Sequence, residues 1–162
     1  MKIKLIFFLL VFVTCSNGTV FNEIEIDNEV FDELINLDTR EKILIDTSNL
    51  IVINYWASWC LECIEEHEFL IQLSNTKGFE NRIFLVLFQD SRQNALTFLN
   101  NYGRGNISYL LDPDSKLSIN SGVFGVPETH IIKNNKIIKK YIGPLSITNL
   151  QEIIISYSNE GD

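Results

Sequence analysis

The sequence predicts an α/β fold, a central mixed β-sheet flanked by helices and preceded by an N-terminal extension. Three observations carry this. Two continuous apolar runs, 51–57 and 82–89, alternate with two amphipathic stretches, 60–75 and 93–102, and this strand–helix–strand–helix order implies parallel pairing. Further on, apolar runs at 129–132 and 137–142 flank Asn134 and Asn135, residues that tolerate positive φ; this predicts an antiparallel hairpin and hence a mixed sheet. Lastly, 162 residues that are 46% hydrophobic and 11% aromatic suffice to bury the core of one domain.

The chain opens with Lys2 and Lys4, an apolar run over 5–13 and the small polar residues Ser16, Asn17 and Gly18. Basic start, short apolar run and small-residue end read as a secretory signal peptide over 1–18, or as a retained N-terminal membrane anchor. The run falls short of the roughly 20 residues that span a bilayer. Cleavage is placed after Gly18, with Ser16 three positions upstream. Acylation of Cys15 is the weaker alternative, because Phe12-Val13-Thr14 is a poor approach to such a cysteine. Residues 19–162 are thus expected to work outside the cytoplasm, in the periplasm for a bacterial chain.

Within that domain, 19–46 is acidic and weakly periodic, with a short helix expected at 30–35 and a strand at 42–45. The run at 51–57 is β-branched and aromatic throughout, as a strand buried on both faces should be. Ile64, Phe69, Leu70 and Leu73 give 60–75 its helical spacing, and Gly78 stops it. Gly103 ends the helix at 93–102. Asp112, Pro113 and Asp114 cap a short helix running to Ile119, 122–127 is a loop, and Ser146 is the N-cap of a last helix ending near Tyr157.

Charge narrows the partners without naming a chemistry. The chain carries 13 basic and 21 acidic residues, a net charge of −8. Loss of Lys2 and Lys4 with residues 1–18 would make it −10. Such a charge argues against nucleic acid and favours neutral or basic protein partners.

Cys15 belongs to the export segment, so Cys60 and Cys63 form the only cysteine pair of the domain. A disulfide across three residues closes almost no loop and stabilises little, which argues against a structural staple. Zinc would need further ligands, and His67 and His130 stand at spacings unlike a compact site. A lone CxxC in an oxidising compartment is better explained as a redox centre. It lies at the junction of a buried strand and a helix N-terminus, where free N–H groups and the helix dipole stabilise a thiolate on Cys60. Cys60 is therefore the expected exposed nucleophile, and Cys63, one turn further in, the resolving thiol. No metal or cofactor is expected beyond this pair. Glu62, between the cysteines, opposes the dipole and disfavours a strong oxidant.

Trp56-Ala57-Ser58-Trp59-Cys60 with Cys63, then Glu66-His67, Leu111-Asp112-Pro113-Asp114 and the stretch from Gly122 to Thr129 resemble the DsbE/CcmG thiol:disulfide interchange proteins of cytochrome c maturation. The likeness runs over 50–143; Leu61 and Glu62 lack the proline often found between the cysteines, and Pro144 stands where the family leads one to expect a charge. The resemblance implies a thioredoxin fold and an extracytoplasmic protein-disulfide reductase, and the chain is expected to be a monomer. It implies electrons drawn from a membrane thiol donor of the CcdA/DsbD type and passed to the haem-binding cysteines of apocytochrome c. It also implies a cis Pro127 facing the disulfide, with the backbone of Val126 free to pair with an extended client segment. The other readings are a general TlpA/ResA-type thiol reductase, an oxidase, or a non-catalytic thioredoxin-fold binding module.

Several side chains carry expectations of their own. Glu66, three residues past Cys63 on the same helix face, can exchange a proton with the resolving thiol. General thioredoxins use a buried Asp on the preceding strand for this, where this chain has the non-titrating Asn54. Glu65 and Glu68 are expected to serve only the helix N-terminus by their charge. Trp59 is placed to cover the disulfide and shape the partner surface. Glu128 and Thr129 either hold the proline loop or touch the client, and His67 and His130 are expected to be structural.

Overall fold

The computed structural model describes residues 23–157; the expected export segment at 1–18 lies outside them. In chain order the elements are β1 (Ile24–Glu25), a 3₁₀ turn (Asn28–Glu33), β2 (Ile35–Asn36), β3 (Ile51–Trp56), α1 (Leu61–Ser74), β4 (Ile83–Leu87), α2 (Arg92–Tyr102) and β5 (Ser108–Leu111). After a 3₁₀ turn at Pro113–Ser115 follow α3 (Lys116–Asn120), β6 (Glu128–Lys133), β7 (Lys136–Ile142) and α4 (Ile147–Tyr157). The strands form one sheet in the order β1-β7-β6-β3-β4-β5-β2. β3, β4 and β5 pair in parallel, while β6 is antiparallel to β3 and β7 to β6. The sheet is mixed, as expected.

β3 lies at its centre with all six residues buried, because β-branched and aromatic side chains are wanted on both faces. Alternation sends Val52 and Trp56 to one side, where Leu70 and Leu73 of α1, Phe98 and Leu99 of α2, and Leu150 and Ile153 of α4 cover them. Ile53 and Tyr55 face the other side, packed with Leu117 of α3 and with Phe31 and Leu34 from the N-terminal segment. Both layers are apolar, and the cysteines belong to the first.

The caps follow the chemistry of the sequence. Gly103 ends α2 at φ 84°, a conformation that costs a glycine little. Asn134 and Asn135 turn the β6–β7 hairpin at φ 50° and 58°. Ser146 Oγ accepts from Asn149 N at 3.2 Å at the start of α4, while Asn149 Oδ1 accepts from Ser146 N at 3.0 Å. Asp112 caps α3 by accepting from the N–H groups of Leu117 and Ser118.

Three expectations need correction. The helix at 30–35 is instead a six-residue 3₁₀ turn, Asn28–Glu33, and Ile35 starts β2. No strand forms at 42–45: Lys42 makes one bridge to Ile35 and Leu44 is 88% exposed, since β2 itself takes the sheet edge beside β5. In α1 the buried stripe is Cys63, Glu66, His67, Leu70 and Leu73, whereas Ile64 and Phe69 only flank the core. β5 is an element the sequence reading left without a structure.

Candidate active site

β3 ends at Trp56, and four residues later Cys60 is the N-cap of α1, extended at φ −86° and ψ 113°. Its sulfur is bonded to that of Cys63, and it accepts from the Cys63 N–H at 3.1 Å. The sulfur thus occupies the place where a helix offers free N–H groups, which favours negative charge there. Exposure does not separate the two cysteines: Cys60 is 3% exposed and Cys63 2%. The expected openness of Cys60 is corrected to this extent, because in the disulfide form its side chain turns in toward the helix and joins the core.

The loop before Cys60 is held from outside. Asp90, half-buried after β4, accepts from Ser58 N at 2.8 Å and Ser58 Oγ at 2.5 Å with one oxygen, and from Ser91 N at 2.7 Å and Asn94 Nδ2 at 3.0 Å with the other. Hydrogen bonds from Ser58, Asn94 and Ser91 hold its carboxyl below the usual range, against the effect of burial. Trp59 is 61% exposed and donates its indole N–H to Gln89 O at 3.4 Å. It therefore offers a large apolar face to solvent beside the cysteines.

The Val126–Pro127 peptide is cis, in the loop that enters β6. Half-buried Val126 packs against the core cluster that contains both cysteines. A groove of about 490 Å³ runs along this loop, lined by Phe124, Val126, Pro127, Glu128, Lys140 and Ile142. Phe124 and Ile142 are 95% and 85% exposed on its rim.

Glu66 is 1% exposed. Its Oε1 accepts from Asn54 Nδ2 at 2.8 Å and its Oε2 from the backbone N–H of Leu145 at 2.8 Å, and Asn54 Nδ2 also donates to Thr129 Oγ1 at 2.9 Å. Burial pushes the carboxyl up to about 7, and the two donors only partly offset it. Such a group exchanges protons at neutral pH. Cβ atoms three residues apart on a helix lie about 5–6 Å from each other, which puts Glu66 beside Cys63.

The histidines are packed side chains. His67 donates from Nε2 to Gly103 O at 2.9 Å among Trp56, Phe98 and Tyr109, and burial lowers its pKa. His130 lies on the opposite face of the sheet, its Nε2 2.6 Å from Glu128 Oε1, which Lys140 Nζ approaches at 3.4 Å. Glu128 and Thr129 are thus tied to the scaffold immediately after the proline. Among the described residues no group of three or more His, Cys, Asp or Glu side chains could hold a metal ion.

The structure brings Cys60, Cys63 and Glu66 together on α1, with Trp59 before them and the Val126–Pro127 loop packed against the same core. Sequence reasoning missed Asp90 and the Leu145 N–H. Neither has a local signal, since they reach Ser58 and Glu66 across 32 and 79 residues.

A CxxC disulfide capping a helix, at the end of the central strand of this sheet, defines a thioredoxin-like protein. Solved structures agree on the fold. The chain superposes on MTB DsbF with a TM-score of 0.66 at 18% identity, covering 82% of this chain and 98% of that one. On a putative DsbE from Chlorobium tepidum the TM-score is 0.60 at 23% identity, covering 70% and 82%. More particularly, the chain belongs to the redoxin family, whose Redoxin model matches residues 34–154. Its curated relatives are thiol:disulfide interchange proteins, in line with the resemblance carried by the motifs. DsbE of Allochromatium vinosum is 37% identical over 124 residues, 74% of this chain and 66% of the relative. CycY of Rhizobium leguminosarum is 34% identical over 107 residues, 65% and 56%, and DsbE of Escherichia coli K12 is 37% identical over 97 residues, 59% and 51%. The chain spans between half and two thirds of the length of these relatives.

Proposed function

We propose that this protein is an extracytoplasmic protein-disulfide reductase that serves cytochrome c maturation by reducing the haem-binding cysteines of apocytochrome c. The observation that carries the reading is the Cys60–Cys63 disulfide at the N-terminus of α1, in the same core as the loop of cis Pro127. In the reduced protein the Cys60 thiolate attacks one sulfur of the client disulfide, forming a mixed disulfide and releasing the other client sulfur as a thiolate. Glu66 takes the proton of Cys63, whose thiolate attacks Cys60 Sγ, closes the Cys60–Cys63 bond and releases the second client thiolate. Two electrons pass to the client, and a membrane thiol donor of the CcdA/DsbD type restores the dithiol.

Trp59, Val126 and Pro127 hold the client, the loop backbone pairing with an extended segment and the exposed indole packing on it. The helix dipole stabilises the Cys60 thiolate and Glu62 opposes it. A less stabilised thiolate means a less favoured reduced form and a more negative potential, by about 1.4 kcal/mol for every ~30 mV.

The test equilibrates the full chain with glutathione buffers, then offers it an oxidised CxxCH peptide beside insulin. We expect a potential well below that of DsbA, which lies near ~−120 mV, and faster turnover of the peptide. A potential near that of DsbA, or preference for insulin, would sink the cytochrome-maturation reading and leave general thiol exchange.

A further inference from the structure

Asn54, in the middle of β3 and fully buried, uses one atom twice: Nδ2 donates both to Glu66 Oε1 and to Thr129 Oγ1. Its other polar atom, Oδ1, is buried and has no hydrogen-bond partner among the described residues. A carboxamide presents a donor and an acceptor of nearly the same shape, and a half-turn about χ2 exchanges them. An ionised Glu66 can only accept, whereas a protonated one has an O–H that must donate. The Thr129 hydroxyl can do either. Leu145 contributes a backbone N–H that cannot reverse its role, and it holds Oε2. The proton therefore enters on Oε1, the oxygen that faces Asn54.

We propose that Asn54 is the positioning residue for Glu66: its carboxamide donates to the carboxylate, turns over when that carboxylate takes a proton, and then accepts from the carboxylic acid and from the Thr129 hydroxyl. Hydrogen bonds are conserved across the turn, one to Glu66 and one to Thr129 in each orientation, with one polar atom of Asn54 unpaired in each. A buried carboxyl that must change charge during every cycle thus keeps a matched partner in both states. A carboxylate at position 54 could serve only the protonated state of Glu66, and an apolar side chain neither. The inference rests on Glu66 as the proton acceptor of Cys63. In that step the Cys63 S–H bond breaks, the Glu66 Oε1–H bond forms, and no electrons change owner.

Glu62, Glu65 and Glu68 of α1 are exposed, Lys136 of β7 is exposed and Lys140 of β7 reaches Glu128, so the charged and titratable groups on the side of Glu66 are few. Cys63 and His67 share α1, and His67 is engaged with Gly103 O. Tyr141 and Lys139 lie on β7, and Glu152 and Tyr157 on α4, with Glu152 paired to Lys139 at 3.1 Å. On β3 and β6, Tyr55, Glu128 and His130 face the opposite side of the sheet. Cys63 is the group whose proton Glu66 can take one helical turn away.

NMR on the reduced full chain tests the proposal, with the side-chain ¹⁵NH₂ of Asn54 and the ¹³Cδ of Glu66 followed together across the neutral range. We expect the two sets of signals to move with one midpoint, and Glu66→Gln to abolish the pH dependence of the Asn54 signals. Asn54→Val should raise the Glu66 midpoint by up to about 1 pH unit, because both forms lose a hydrogen bond and the charge-assisted bond of the ionised form is the stronger of the two. The pH profile for resolution of a preformed mixed disulfide should move up with it. Asn54 signals that stay constant while Glu66 titrates overturn the proposal, and this measurement decides the matter even if Asn54→Val does not fold. The readout needs no client. A chain that reduces no disulfide would fail the functional reading while leaving a coupled Asn54–Glu66 titration intact.

Discussion

Cys60 and Cys63 differ by position rather than by exposure, and position assigns their parts. Cys60 is the N-cap, outside the helix, and takes a hydrogen bond from the Cys63 N–H. Cys63 lies within the first turn and points its side chain to the core stripe shared with Glu66 and Leu70. The dipole and the N–H groups act on the first sulfur, so the attacking thiolate is expected to form there. Cys60→Ser should lose all exchange, whereas Cys63→Ser should accumulate mixed disulfides with clients, visible on non-reducing gels. Adducts from Cys60→Ser and none from Cys63→Ser would reverse the assignment.

Among the elements, the segment joining β4 to α2 has a duty beyond connection. Asp90 gathers four donors, two from Ser58 in the active-site loop and two from the start of α2, so a single carboxylate ties the N-terminal approach of α1 to its neighbour. An amide cannot replace it, because every partner presents a hydrogen and the NH₂ end would face one of them. Asp90→Asn and Asp90→Ala should each lower stability by about 1–3 kcal/mol in denaturant unfolding of the oxidised chain. Both should also slow attack by Cys60, since Ser58 is released two residues before it. Unchanged unfolding midpoints and exchange rates would mean that the loop is held by its own packing.

Over the whole molecule, Glu66 makes stability depend on pH. Its folded-state pKa of about 7 stands above the ordinary 4.5, so the folded chain binds a proton that the unfolded chain has released between those values. The contribution of this group is therefore fully present below about pH 4.5 and is lost as pH rises through 7. A shift of that size corresponds to at most about 3 kcal/mol. His67 and His130 act the other way, because burial lowers their pKa and the fold gains stability as the unfolded histidines lose their protons. The informative quantity is the difference between the oxidised chain and Glu66→Gln. From pH 5 to 8 the native chain should lose stability relative to the variant; a constant difference would show that Glu66 is ionised throughout.

Much of this was legible in the chain itself, for reasons of local chemistry. Apolar runs with β-branched residues can only be satisfied between two layers, which fixed β3 and β4 as central strands. Gly103, Asn134 and Asn135 mark their turns because few other residues accept positive φ. The placement of Cys60 and Cys63 after a buried strand announced a helix cap, and the spacing of Glu66 from Cys63 set both on one face. What the sequence left open was whatever depends on partners distant along the chain. Ser108–Leu111 is too short to declare itself and is a strand because Ile83–Leu87 offers an open parallel edge. The tie of Ser58 to Asp90, the meeting of Glu66 with Leu145, and the contact of Asn54 with Thr129 join residues separated by 32, 79 and 75 positions. Local propensity is blind over such distances. Sequence determined that the cysteine pair and Glu66 would share one helix face, and tertiary structure alone decided their environment, because burial and converging donors, not residue identity, set where a carboxylate keeps its proton.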